Sequence, residues 1–526
     1  MMVAVVSLCS AIVAPYTFGQ SGGVSRDSLE RSLFFLASEE LAGRAAGTYE
    51  DSLAASYIAR KFAEYGMVPL YGDSYLLPFE LTLHRIADSS SQLVFGDSTL
   101  VYGKDFSLHP LSPVADVCGR IVDVTHNDTI RGDIAFLRIQ SDSVNFVVTD
   151  LMNRGFQAIL YYESDIEDDP VRMRGIEFPV PVVVVGEKPL RLIREMRDPV
   201  VELSSKTSSV KSVSYNVAAV TPGKSDDYIM IGAHYDHLGL GGNYSGSLLP
   251  DTTVFHPGAD DNASGVASIL EIARTLKDSR KQIAIVAFGA EERGLVGSSK
   301  LSDTLRKMDL LPEFMINMDM VGRLRDSKLQ AGGMATFQNS DSLLKKLNRP
   351  YSFDLLFSGE GTGPSDHSSF YSKGVPVLFF TTGVHPDYHK PSDKASMINF
   401  EGLERVTEFV SDIARVLAND DFEVIYKSGA GSANRSRHKQ NFKVTLGLIP
   451  DFTYEKGDGF RIGPVSEGGA AHKAGLKEGD IITSLGDVSV RNIYDYMKAL
   501  GTLKKGETVV VVVVRDGIVN EIRVDL

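Results

Sequence analysis

Four apolar runs, YIMIGA, IAIVAF, FMINM and PVLFF, constrain this chain more than any other feature. Each is short, bounded by Gly or polar residues, and without polar alternation. Each therefore reads as a strand buried on both faces, the mark of a parallel sheet. Short motifs rich in His, Asp and Glu follow them: GAHYDH, AEERG, NMDMVG and DYHKPSD. A fifth, PGADDNASG, lies between the first two runs. Open α/β sheets place ligand sites at the carboxyl ends of their strands. Two His and several carboxylates converging on that edge are the donors that borderline divalent metals, zinc above all, require. The candidate residues are His234, Asp260, Glu291, Glu292, Asp319 and His389.

At 526 residues the chain is too long for one ordinary core, so several domains are expected. A net charge of −14 argues against nucleic acid or an anionic membrane as the main partner. After the N-terminus no apolar run reaches the roughly 18–20 residues that a membrane span needs. The uncharged stretch MMVAVVSLCSAIVAPYTFGQ resembles the apolar core and cleavage region of a secretory signal, although a positively charged start is missing. Removal of residues 1–19 would take Cys9 and leave Cys118 as the only thiol, so no internal disulfide is expected, and a secreted or periplasmic location is.

The remaining chain divides by pattern. Residues 20–83 carry helical periodicity over Ser28–Leu36 and Tyr49–Tyr65. Residues 84–205 switch to short β-rich runs (GRIVDV, GDIAFLRI, AILYY, VPVVVV) with one helix around Asn145–Asn153, and hold no ligand cluster. Residues 206–420 contain all five motifs and close with a helix over Phe400–Leu417. A polar linker, KSGAGSANRSRHKQ, occupies most of 421–440. Residues 441–526 contain AGLKEGDII and the strand VVVVVVRDG.

The five ordered motifs, with LASEELAGRAAGTYE upstream, resemble the co-catalytic zinc aminopeptidases, a family that includes bacterial leucyl aminopeptidases and glutamate carboxypeptidases. The segment 84–205 resembles a protease-associated domain inserted into the peptidase domain, and 441–526 a PDZ domain. The resemblance implies a mostly parallel α/β sheet flanked by helices and two Zn²⁺ ions per chain. His234 and Asp319 would hold one ion, Glu292 and His389 the other, with Asp260 bridging. Glu291 is then the general base, Asp236 orients His234, and Tyr388 donates its phenol to the oxyanion. Asp261 and Asn262 are expected to cap the helix beginning at Ser264, His237 to be a hydrogen-bonded neighbour, His256 to be a loop residue, and His367, Asp366 and His385 to be structural or substrate-edge groups.

The implied activity is zinc-dependent removal of N-terminal residues from peptides. Carboxypeptidase-type action, a glutaminyl-cyclase-like reaction, and a non-catalytic PDZ scaffold are the alternatives. A PDZ domain would take a C-terminal peptide by strand addition. Here Pro450, at the expected carboxylate loop, lacks an N–H donor, which leaves an architectural role open.

Overall fold

The computed structural model describes residues 23–526, apart from 126–131, 139–143, 165, 167–171, 174–177, 224–226, 243–244, 250–252, 277–278, 420–423, 428–445, 451–458, 466–468, 487, 491–492, 501–502, 504–505 and 516. The secretory-signal segment and nearly all of the linker lie outside the described residues.

The apolar runs form the strands their composition predicts. They are β3 (Tyr228–His234), β4 (Gln282–Phe288), β5 (Phe314–Met318) and β8 (Val377–Thr381), and they lie side by side in the order β8-β5-β3-β4, all parallel. Two long antiparallel strands, β1 (Leu76–Ala87) and β2 (Thr207–Val220), extend the sheet beyond β4. On the other side β6 (Lys328–Gly332) runs antiparallel to β8 and parallel to β7 (Asp354–Phe357). Among the described residues the sheet has ten strands.

Alternation on these strands sorts the core into two layers. Ile229 and Ile231 face one side with Ile283, Ile285 and Ile316. There they meet helices α1 (Arg26–Leu36), α2 (Tyr49–Glu64), α3 (Gly265–Thr275) and α5 (Phe400–Asn419). Met230, Ala284, Val286 and Met315 face the other side, against Leu301 and Leu305 of α4 (Val296–Lys307) and Phe370. Both faces are covered, which is why the strand sequences do not alternate with polar residues. Phe409, fully buried from α5, is the kind of side chain whose truncation to Ala costs about 3–5 kcal/mol.

Between β1 and β2 the chain builds a separate eight-stranded sheet around its own core, including Leu93, Phe95, Phe106, Phe136, Val183 and Val201. The helix expected around Asn145–Asn153 spans Val144–Asn153. The β1–β2 ribbon joins this insert to the main sheet. Its register slips between Val210 and Lys211, whose partners are His84 and Thr82, so Leu83 is one residue in excess. Arg293 donates to the carbonyl oxygens of Thr82 and Leu83 there.

The C-terminal segment folds as a six-stranded sheet with helices Ala470–Ala474 and Ile493–Leu500 around Phe460, Leu476, Ile482, Val511 and Val513. Gly475 and Gly479 turn the chain on either side of buried Leu476. Both have positive φ (84° and 90°), and no atom lies within 4 Å of where a Cβ would sit, so conformation rather than space calls for glycine. Pro450 lies in the edge strand Leu448–Pro450.

Candidate metal centre

His234 ends β3, Glu291 and Glu292 lie in the turn after β4, Asp319 follows β5 directly, and His389 lies in the loop after β8. Parallel pairing brings all of these to one edge of the sheet. His234 Nε2 lies 3.2 Å from Asp261 Oδ1 and 3.4 Å from Asp319 Oδ1. His389 Nε2 lies 3.2 Å from Asp261 Oδ2 and 3.2 Å from Glu292 Oε1. The two oxygens of Asp261 thus face two different imidazoles.

Backbone carbonyls fix both rings. His234 Nδ1 is 3.1 Å from Asp236 O, and His389 Nδ1 is 2.8 Å from Gly246 O. Nδ1–H donates in each, which aims Nε2 into the cluster, where the surrounding carboxylates favour a protonated ring and a bound cation would take the place of the Nε2 proton. His237 differs. Its Nδ1 lies 3.1 Å from Glu292 Oε1 and 3.8 Å from Asp261 Oδ2, and its ring meets His389 edge-on. It serves as the hydrogen-bonded neighbour expected from the sequence, although its Nδ1 stands within ligand range of the same two carboxylates.

The structure corrects the assignment of Asp260. Its side chain turns away from the imidazoles of His234 and His389: Oδ1 accepts from Gly322 N at 2.6 Å and Oδ2 lies 3.2 Å from His385 Nε2. Asp261 takes the central place, and so does not cap the helix. Capping falls to Asn262, whose Oδ1 accepts from Gly265 N at 3.0 Å and Met320 N at 3.2 Å. The backbone leaves helical geometry at both Asp261 (φ −104°, ψ 92°) and Asn262 (φ −132°, ψ 43°), and the peptide joining them is cis. Asp393, at the end of DYHKPSD, holds this turn by accepting from the N–H groups of both Asp260 and Asp261.

Asp236 also acts differently from expectation. Its backbone carbonyl, rather than its carboxylate, is the close partner of His234; the nearest carboxylate oxygen is 3.9 Å away. The carboxylate instead accepts from Glu291 N at 2.9 Å and Glu292 N at 3.3 Å, fixing the turn that separates the two glutamates.

Electrostatics separates them further. Burial, reinforced by the charges of Glu292, Asp366 and Asp319, pushes the Glu291 carboxyl well above the usual range, although His234 opposes the shift. Burial acts the same way on Glu292, but there it is outweighed by the charge of His389 and hydrogen bonds from His237 and His389, which pull the group well below the range. Asp261 is likewise pulled down, against burial, by hydrogen bonds from His234 and His389. Tyr388 stacks on His389 with ring centres 3.9 Å apart; burial and then the surrounding carboxylates keep its phenol protonated.

The donor set fits divalent cations. Asp236, Asp261, Glu291, Glu292 and Asp319 crowd one water-poor edge, and Asp319 Oδ1 is buried without a hydrogen bond among the described residues. His234, Asp261 and Asp319 form one group able to hold an ion. Asp261, Glu292 and His389 form a second around the other oxygen of Asp261.

An open α/β fold with an aspartate set between two histidine–carboxylate pairs defines the class, a candidate two-cation hydrolase centre. Residues 216–414 match the model of peptidase family M28, and residues 438–526 match that of the PDZ domain. It is 28% identical over 330 residues to aminopeptidase YwaD of Bacillus subtilis (strain 168), covering 59% of this chain and 64% of that protein. It is 28% identical over 241 residues to leucine aminopeptidase 1 of Leptosphaeria maculans, covering 40% and 59%. The chain thus spans about three-fifths of the length of these relatives. The aminopeptidase from Aneurinibacillus sp. strain AM-1 has a similar fold, with a TM-score of 0.50 and 24% identity, covering 77% of this chain and 97% of that one.

Proposed function

We propose that this protein is a zinc-dependent exopeptidase that removes N-terminal residues from peptides. The observation that carries the reading is Asp261, with one oxygen toward His234 and Asp319 and the other toward His389 and Glu292. His234, Asp319 and one Asp261 oxygen would hold the first zinc; His389, Glu292 and the other oxygen the second. When bound, such a pair polarises a carbonyl oxygen and lowers the pKa of a water toward about 7.

The chain's own residues supply the rest. Glu291, set apart from its neighbour by the Asp236 clamp, takes the proton of the attacking water and passes it to the leaving amine. Its half-buried position beside other carboxylates suits a carboxyl that must hold a proton in mid-reaction. Tyr388 offers a phenol O–H to the developing oxyanion. The names of the relatives, an aminopeptidase and a leucine aminopeptidase, support release of a free N-terminal residue as the reaction.

The same reading extends to the rest of the chain. The insert between β1 and β2 is a protease-associated module, residues 1–19 direct export, and the PDZ domain takes peptide C-termini or positions the enzyme. Among the described residues no helix is long and apolar enough to cross a membrane.

Aminoacyl-anilides with free and blocked α-amino groups test the activity directly. Hydrolysis of the free-amine set alone, lost on dialysis against a chelator and restored by zinc, is the expected result. Equal turnover of N-blocked substrates rules out the aminopeptidase reading. Glu291→Gln should lower turnover by about 10²–10⁴-fold while keeping metal content. A near-normal rate would place the base elsewhere.

A further inference from the structure

The N-terminal segment LAGRAAG contributes no ligand to the centre, yet its arginine lies at the middle of the loops that do. Arg44 has no exposed surface, and its backbone takes φ +40°, a conformation rare for a residue with a side chain. Its guanidinium makes five contacts, all with backbone carbonyls. Nε donates to Tyr235 O at 2.5 Å, Nη1 to Leu36 O at 3.0 Å and Pro257 O at 2.6 Å, and Nη2 to Gly258 O at 2.7 Å and Asp261 O at 3.4 Å. A guanidinium has five N–H groups, so each finds an acceptor.

Those carbonyls belong to the loops that carry the chemistry. Tyr235 sits between ligand candidate His234 and Asp236, whose carboxylate clamps the Glu291–Glu292 turn. Pro257 and Gly258 lead into Asp261, and Gly258 itself takes a left-handed conformation (φ 54°). The backbone beside Arg44 adds further ties: His237 N donates to Arg44 O and Gly239 N to Gly43 O. Gly43 approaches so closely that a Cβ there would stand 2.6 Å from the carbonyl oxygens of both Gly239 and His256.

A fully buried cation is costly unless hydrogen bonds and opposite charge compensate it. Carbonyls supply the hydrogen bonds, and the charges of Asp261, Asp236, Asp393 and Glu292 supply the field. Because none of the five contacts is to a carboxylate, the charge is shared with the whole acidic edge instead of cancelling one member.

We propose that Arg44 is a positioning residue for the metal centre: its planar fork locks the His234 and Asp261 loops in register, and its charge holds the acidic edge together before the cations bind. Lysine could not replace it, since a single ammonium carries three donors at one point and cannot reach acceptors spread around a fork. The proposal rests on the two-cation reading above, and the test separates the two.

The full-length protein, wild type, Arg44→Lys and Arg44→Ala, is titrated with zinc against a chromophoric chelator. The absorption spectrum of the cobalt-substituted forms and the kinetic constants are recorded alongside. Wild type taking up no more than one ion would sink the two-cation reading itself. If that reading stands, Arg44→Lys should bind zinc about 10–100-fold more weakly, the range typical of lost support around a ligand. Its cobalt spectrum should shift, and kcat should fall with KM little changed. Added guanidinium should restore zinc affinity to Arg44→Ala, whereas equal ammonium should not. A folded Arg44→Lys with wild-type zinc affinity and cobalt spectrum overturns the proposal, as does an Arg44→Ala that binds zinc normally without guanidinium. Should Arg44→Ala fail to fold, the Arg44→Lys measurements decide alone.

Discussion

Two buried aspartates, one in the PDZ domain and one at the edge of the peptidase sheet, have the same chemistry and opposite surroundings. Asp480 is 1% exposed and fully answered by its own domain. Arg515 donates to both of its oxygens at 2.6 Å, and Lys477 N donates at 2.9 Å. Asp261 is 3% exposed and faces two neutral-capable imidazoles, with Glu292 and Asp319 close by. The arginine nearest in sequence logic, Arg44, binds its backbone carbonyl and not its carboxylate. A buried charged carboxylate needs hydrogen bonds and, where these do not suffice, a cation. Where the chain provides one, the group is structural. Where several carboxylates share an edge with ring nitrogens held ready, the cation comes from outside.

The sharpest way to break this comparison is to exchange neighbours. Asp261→Ala should remove both ions, since each would lose an oxygen ligand, and activity should vanish with them. Asp260→Asn should keep both ions, because its side chain serves Gly322 N and faces His385, away from His234 and His389. Elemental analysis of the two purified variants decides. Two ions retained by the Asp261 variant, or both lost from the Asp260 variant, would return the bridge to Asp260.

That neighbouring pair also marks where the sequence stops being readable. The parallel sheet was legible because β3, β4, β5 and β8 are apolar on both faces, and the site's location followed from their carboxyl ends. The helices lie within one or two residues of their periodicity. Which of two adjacent aspartates points inward depends on the non-helical turn at Asp261 and Asn262, and no periodicity encodes that. The sequence suggests that the Asp236 carboxylate orients His234, but that carboxylate accepts instead from two backbone N–H groups of the Glu291–Glu292 turn, a tertiary contact between separate strands. Arg44 gave no sign of burial either. A charged residue in a Gly- and Ala-rich loop ordinarily reads as solvated, and only the meeting of distant carbonyls reverses that.

The insert offers a smaller contrast, a buried histidine with no metal to serve. His109 is 8% exposed; its Nδ1 accepts from Leu111 N at 3.2 Å, and Phe178 packs on the ring. Burial lowers its pKa from the ordinary 6.5 to about 4. Between those values the unfolded chain binds the proton more readily than the fold does. Stability is therefore complete above pH 6.5 and falls as pH drops toward 4, by about 3 kcal/mol. Hydrogen exchange of peptides from 88–206 should show that slope, and His109→Gln should flatten it. Equal slopes in the two proteins would mean that His109 does not cause it.

Asp480→Ala should cost the PDZ domain about 1–3 kcal/mol, since charge-assisted hydrogen bonds are lost while Arg515, being partly exposed, regains water. Exchange protection within 446–526 should drop while zinc content and hydrolysis of small substrates stay unchanged. A loss of bound zinc would show that the two aspartates are not independent, and the contrast between them would fail.

The smallest effect should come from the largest deletion. The segment after helix α5 stays tied to the peptidase domain as far as Lys427: Gln338 N donates to Ile425 O, and Lys427 N donates to Thr336 O. A chain ending at Ser428 keeps those ties and every residue assigned to the centre, while removing the PDZ domain whole. Domains with their own cores tolerate separation of this kind. Zinc content and turnover of aminoacyl-anilides should match the full-length protein within about twofold, a difference under about 0.5 kcal/mol. Turnover of long peptides is compared in the same assay, and any loss confined to them assigns the PDZ domain to substrate capture. A truncated protein that is folded and zinc-loaded yet inactive on the smallest substrate would show that the PDZ domain completes the active site, and the two regions would have to be read as one.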